Sequence, residues 1–156
     1  MAEARTYPTR PFLAVSAAIL RDGKVLVVRR ARAPANGVFS LPGGVVEAGE
    51  TLTEAVKREV DEETALTIEP VALAGYREVV ARDASDKVER HFVILPFAAR
   101  WIAGEPRLNE ELSEWRWVDP AEVATMPTTP GLAEIVARAV EQLEAAGWPS
   151  AIIPSA

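Results

Sequence analysis

The chain has 156 residues, a formal net charge of −6, one histidine and no cysteine. Such a balance disfavours a surface that neutralises many backbone phosphates, so nucleic acid is not an expected partner, and the lack of cysteine excludes disulfides and thiolate metal sites. With 49% hydrophobic residues, the chain can bury the core of one domain.

In chain order, MAEARTYPTRP at the amino terminus lacks the basic start, apolar core and small-residue cleavage site of a secretion signal. No stretch approaches the roughly 20 apolar residues of a membrane span. The reading is a single cytoplasmic domain over residues 1–156, with a loose leader at 1–10, a loose tail at 148–156 and no membrane partner. FLAVSAAIL from Phe12 and KVLVVRR from Lys24 are apolar runs separated by Arg21, Asp22 and Gly23. Asp-Gly between such runs predicts an antiparallel hairpin. Pro34 and the Asn36-Gly37 pair mark a loop that delivers Phe39 and Leu41 to a turn at Gly43-Gly44. An acidic helix follows from Leu52. Val71 to Val80 and His91 to Ala99 have strand character, with a charged connector between them. Glu114 to Val118 reads as a strand with Trp115 and Trp117 on one face. Asp119-Pro120 reads as the cap and first position of a short helix, and Leu132, Ile135, Val136, Ala139, Val140 and Leu143 recur at helical spacing up to Gly147. This order predicts an α/β fold, a mixed sheet with a helix on each face.

The acidic helix carries the chemistry. Thr51 and Glu54 match a capping box, which starts the helix near Leu52. Leu52, Ala55, Val56 and Val60 form its apolar stripe. Glu59, Glu62 and Glu63, spaced i, i+3, i+4, fall within roughly 100° of arc, while Asp61 faces away. A solvated acidic face is the ordinary explanation of such a run. Against it, like charges at i, i+4 repel and acids in the last turns oppose the helix dipole, each at about 0.3–1 kcal/mol. A divalent cation turns that repulsion into coordination, and oxygen-only ligands suit Mg²⁺, or Mn²⁺, better than zinc. Arg58 lies four residues from both Glu54 and Glu62, so it can bridge the two; an ordinary helix salt bridge explains the spacing equally well. Gly43 and Gly44 suit a turn, and also a close approach of backbone to phosphate or metal.

Gly44, Glu50, the run Arg58-Glu59-Val60-Asp61-Glu62-Glu63 and then Ala65-Leu66 resemble the signature box of the Nudix hydrolase family. The resemblance implies a Nudix-like α/β/α sandwich and Mg²⁺-dependent cleavage of a pyrophosphate bond in a nucleoside diphosphate derivative. It implies Glu59, Glu62, Glu63 and the Gly44 carbonyl as metal ligands, oriented by Arg58 and Glu50. A further carboxylate is implied after the central strands, at Glu110 with Glu111 as substitute, where a solvated acidic loop is the competing reading. The general base is left open between Glu62 and Glu110. Ala65 departs from the box, where glycine normally ends the helix in the left-handed conformation; alanine there costs about 1 kcal/mol.

The proline marker of ADP-ribose enzymes is missing around Arg82, and Tyr76 falls too early for the dinucleoside-polyphosphate pattern. Overall similarity, including RRARAP and EWRWV, leans toward small bacterial ADP-ribose or nucleoside-triphosphate pyrophosphatases. Arg30, Phe39, Tyr76 and Gly43 are the candidates to meet a small nucleotide, although surface or core packing is the more ordinary explanation of the three side chains. A homodimer is compatible with this reading. The rival is a nucleotide-sensing Nudix-like binding module without hydrolysis, which would be expected to have lost box carboxylates. A prenyl diphosphate isomerase on the same scaffold would want a cysteine.

Overall fold

The computed structural model describes residues 5–32 and 37–147. The turn expected at Pro34 and Asn36, residues 1–4 of the leader and the tail at 148–156 lie outside the described residues. The strands are β1 (Phe12–Arg21), β2 (Lys24–Arg30), β3 (Phe39–Ser40), β4 (Gly43–Val45), β5 (Thr67–Leu73), β6 (Arg77–Arg82), β7 (Val88–Ala103) and β8 (Leu112–Val118). The helices are α1 (Leu52–Thr64) and α2 (Leu132–Ala145), with a 3₁₀ turn at Pro120–Thr125.

The β1–β2 hairpin closes through Asp22 and Gly23, both at positive φ, with Arg21 opposite Lys24. Asp-Gly supplies the two left-handed residues that a two-residue turn needs. β7 is the spine of the mixed sheet: it runs parallel to β1 and antiparallel to β5 and β6. Side chains of β1 and β2 alternate between two cores. Val15, Ala17, Ile19, Leu26 and Val28 pack with Ala55, Val56 and Val60 of α1. Ala18, Leu20, Val25 and Val27 pack with Val136, Ala139 and Leu143 of α2. Burial on both faces explains why these strands read as nearly continuous apolar runs. The result is the expected α/β/α sandwich. No helix among the described residues is long and apolar enough to cross a membrane.

Local departures from the sequence reading have plain causes. The glycine turn is a short strand, because Gly43 to Val45 pair with Ser16 to Ala14 of β1. The single strand expected over Val71 to Val80 is two, broken at Gly75 (φ +115°) and both paired to β7. The short helix after Asp119 is 3₁₀; its cap forms as expected, with Asp119 Oδ1 accepting from the Ala121 N–H at 3.0 Å. Within the stretch read as leader, the Tyr7 N–H donates to the Glu89 carbonyl at 2.8 Å and its hydroxyl to Asp83 at 2.9 Å.

α1 ends as the departure at Ala65 implies it must. Ala65 sits at φ +62°, ψ +20°, and its N–H donates to the Asp61 carbonyl at 2.9 Å. An alanine holds a conformation that favours glycine. Ala65→Gly is therefore expected to raise the melting temperature by about 2–4 °C while leaving activity present. Thermal denaturation checks the first and turnover the second; loss of metal-dependent turnover would show that this helix exit does more than end a helix.

Candidate functional site

The site forms where β1 parts from β2 and β4 takes its place, pairing Gly44 with Val15 and Gly43 with Ser16. Both glycines are required by proximity. A Cβ on Gly43 would overlap the Val15 carbonyl oxygen and the Ser16 backbone, and one on Gly44 would overlap the Glu59 carboxyl group. The helix carboxylates can thus lie directly on the backbone of β4. The Gly43 N–H donates to Glu63 Oε2 at 3.1 Å.

Arg58 organises the cluster. Its Nε and Nη2 hold Glu50 at 2.6 and 2.8 Å, Nη1 holds Glu59 at 2.9 Å and Glu62 at 3.3 Å, and Nη2 also donates to the Val45 carbonyl at 3.1 Å. A bidentate fork of this kind fixes orientation as well as charge. The bridge from Arg58 to Glu54 is not made. Glu54 instead accepts from the Thr51 hydroxyl at 2.9 Å, while the Glu54 N–H donates back to that hydroxyl at 3.2 Å. Capping claims Glu54 and leaves Arg58 to the loop acid Glu50. The Arg58 fork, helped by the Glu47 N–H, holds the Glu50 carboxyl down at about 2.

Glu63 and Glu59 are in the opposite condition. Glu63 is 2% exposed, and burial pushes its carboxyl up to about 8 against the Gly43 hydrogen bond and the charge of Arg30. Burial raises Glu59 as well, with Arg58 opposing. Carboxylates desolvated with so little compensation, all oxygen donors and next to a backbone that only glycine allows so close, fit a hard divalent cation. Among the described residues no three acidic or imidazole side chains already close on one coordination point. Glu62 is turned to Arg58 and Glu63 to Gly43, so the carboxylates share one neighbourhood while each faces its own donor.

A cavity of about 640 Å³ opens over this cluster. Of the residues expected from sequence, Arg30, Gly43, Gly44, Arg58, Glu59, Glu62 and Glu63 line it. Glu50 stands behind Arg58. Phe39 lies outside the cavity wall: it is 2% exposed, packed in the α2-side core, with Arg29 and Arg116 over its ring. Tyr76, 66% exposed, also falls outside the cavity wall, because Gly75 turns the chain there. Glu110 points into solvent with its side chain 82% exposed, 3.7 Å from Arg32, and the loop gives Glu111 to the cavity in its place. Sequence reasoning missed Arg5, Arg77, Arg90, Phe92 and Asn109, which also line the wall. The alternation of REVVAR places Arg77, Val79 and Ala81 on one face, but not which face meets a cavity.

Comparison with known proteins accords with this fold. The model of the NUDIX domain matches residues 10–139. The ADP-ribose pyrophosphatase of Methanocaldococcus jannaschii is 37% identical over 109 residues, which are 70% of this chain and 62% of that enzyme, so the match spans less than two thirds of the relative. The crystal structure of a MutT NUDIX hydrolase from Burkholderia pseudomallei superposes with a TM-score of 0.69 at 29% identity, covering 83% of this chain and 98% of that one. The NUDIX domain of Shewanella oneidensis NrtR, solved in complex with ADP ribose, gives a TM-score of 0.67 at 26% identity, covering 86% and 90%.

Proposed function

Because the chain belongs to the Nudix family, we propose that it is a cytoplasmic, Mg²⁺-dependent hydrolase that cleaves the pyrophosphate bond of a nucleoside diphosphate derivative such as ADP-ribose. The observation that carries this reading is the Arg58 fork, which holds Glu50, Glu59 and Glu62 together above Gly44 at the wall of a nucleotide-sized cavity.

Glu59, Glu62, Glu63 and the Gly44 carbonyl are the groups to hold the cation, with Mn²⁺ as a substitute. When bound, the cation polarises the diphosphate oxygens and lowers the pKa of a coordinated water. Arg30 faces the same cluster and pairs with a non-bridging phosphate oxygen. Arg58 keeps Glu59 and Glu62 in fixed rotamers. Glu62, the most exposed of the three helix carboxylates, accepts the proton of the attacking water. The water oxygen bonds to one phosphorus as the bond from that phosphorus to the bridging oxygen breaks. Two phosphate monoesters leave, and a proton passes to solvent.

The test is hydrolysis of a panel of nucleoside diphosphate derivatives and triphosphates with and without Mg²⁺. From ADP-ribose the expected products are AMP and ribose 5-phosphate, formed only when the metal is present. Nucleotide binding without turnover under any divalent metal would instead support a sensing module.

A further inference from the structure

The wall of the cavity opposite the carboxylates is cationic, and nothing in the cleavage step uses it. The register of the sheet shows how far away it lies. Arg77 of β6 stands opposite Ile94 of β7, Ile94 beside Ala14 of β1, and Ala14 opposite Val45 of β4. These residues form one row across four strands. At about 4.8 Å per strand, the Arg77 backbone is roughly 14 Å from that of Val45, whose carbonyl is tied to Arg58. The next rows place Val79 beside Phe92, and Ala81 beside Arg90, on the same face. The floor between the two ends is apolar, built from Ala14, Ile94, Val79 and Phe92.

Arg77 is half-buried and, among the described residues, its guanidinium has neither an ion pair nor a hydrogen bond. Burial lowers its pKa from the usual arginine value, and no acid raises it back. Arg90 is also without a side-chain partner among the described residues. Arg5 joins them because Tyr7 is pinned to the same hairpin, by its N–H to Glu89 and its hydroxyl to Asp83, with the Lys87 ammonium 4.8 Å from its ring. A ligand with an uncharged far end would complete the desolvation of Arg77 without giving it a partner, which is unfavourable. A ligand with an anion there converts that penalty into a forked hydrogen bond.

We propose that Arg77 and Arg90, with Arg5 delivered by the Tyr7 strap, form a second anion subsite that takes a sugar phosphate monoester at one end of the substrate. The proposal rests on the hydrolase reading above and narrows it: the preferred nucleoside diphosphate derivative carries a further phosphate besides the scissile pair.

The test measures affinity by calorimetry on the Glu62→Gln variant with Mg²⁺, using ADP-ribose, 2′-phospho-ADP-ribose and ADP-ribose 1″-phosphate. The two phosphorylated ligands place the extra phosphate at opposite ends, so either orientation in the cavity is covered. One of them is expected to bind about tenfold tighter than ADP-ribose. Arg77→Met should bring that ratio to near one, and Arg77→Lys should restore part of it; where Arg77→Met does not fold, Arg90→Met serves. Equal affinities, no binding of any of the three, or a preference that survives Arg77→Met overturns the subsite. Turnover by the unaltered protein is followed separately. Its absence on every substrate overturns the hydrolase reading, while the affinity ratio still decides the subsite.

Discussion

Glu62→Gln is expected to lower kcat by about 10²–10⁴-fold with KM changed only a few-fold. The reason is the division of labour within the cluster. Glu63 is sealed against Gly43 and Glu59 against Gly44, whereas the Glu62 side chain is 55% exposed and reaches solvent at the cavity wall. It is the helix carboxylate best placed to meet an attacking water. Its one contact within the cluster is the 3.3 Å approach to Arg58. An exposed pair of this kind contributes about 0–1 kcal/mol, so the melting temperature should barely move. Steady-state kinetics on the best substrate of the panel, together with a melting curve, separates the two effects. Activity within tenfold of the unaltered protein would pass the role of base to Glu111, the loop carboxylate that lines the cavity.

What was legible in the sequence was what local rules govern. The Asp22-Gly23 hairpin, the Thr51 cap, the Asp119 cap and the strain at Ala65 each follow from a few neighbouring residues and appear at the expected positions. The helix carboxylates were legible for a related reason, since 3.6-residue periodicity fixes their common arc. The contact of Arg58 with Glu62 followed from the same i, i+4 spacing, but its bidentate partner did not. Glu54 and Glu50 both lie within reach along the chain, and the choice depends on the loop of residues 46–51 folding Glu50 back beneath the guanidinium. The cavity wall was harder still. Arg77 and Arg90 come from adjacent strands of a hairpin, and their shared face is set by the β6–β7 register and by where β1 and β4 lie beyond it. Phe39 illustrates a choice that its neighbours along the chain leave open. An aromatic residue beside a glycine turn suggests a base-stacking platform, yet pairing of β3 with β2 turns its ring into the α2-side core.

The largest combined effect is expected from Arg58→Met, which keeps the helix-compatible stem and removes the fork. The Arg58 side chain is 24% exposed and touches Glu50 and Glu59, whose side chains are 17% and 14% exposed. Removing it takes the Arg58 donor from Glu59 and the Val45 carbonyl and leaves Glu50 with only the Glu47 N–H. Breaking a fully buried pair costs about 3–5 kcal/mol, and partial exposure reduces this to about 2–3 kcal/mol. The melting temperature should therefore fall by about 5–10 °C. Catalysis should fall further than folding alone explains, because Glu59 and Glu62 lose the group that orients them; a drop in kcat of about 10²-fold is expected at temperatures where the variant is fully folded. Arg58→Lys distinguishes charge from geometry. An ammonium restores charge near Glu50 or Glu59 but cannot bond both together with Glu62 and Val45. It should recover much of the stability and little of the kcat. If Arg58→Lys recovers both in parallel, the charge at this position matters and the fork does not, and the positioning role given to Arg58 falls.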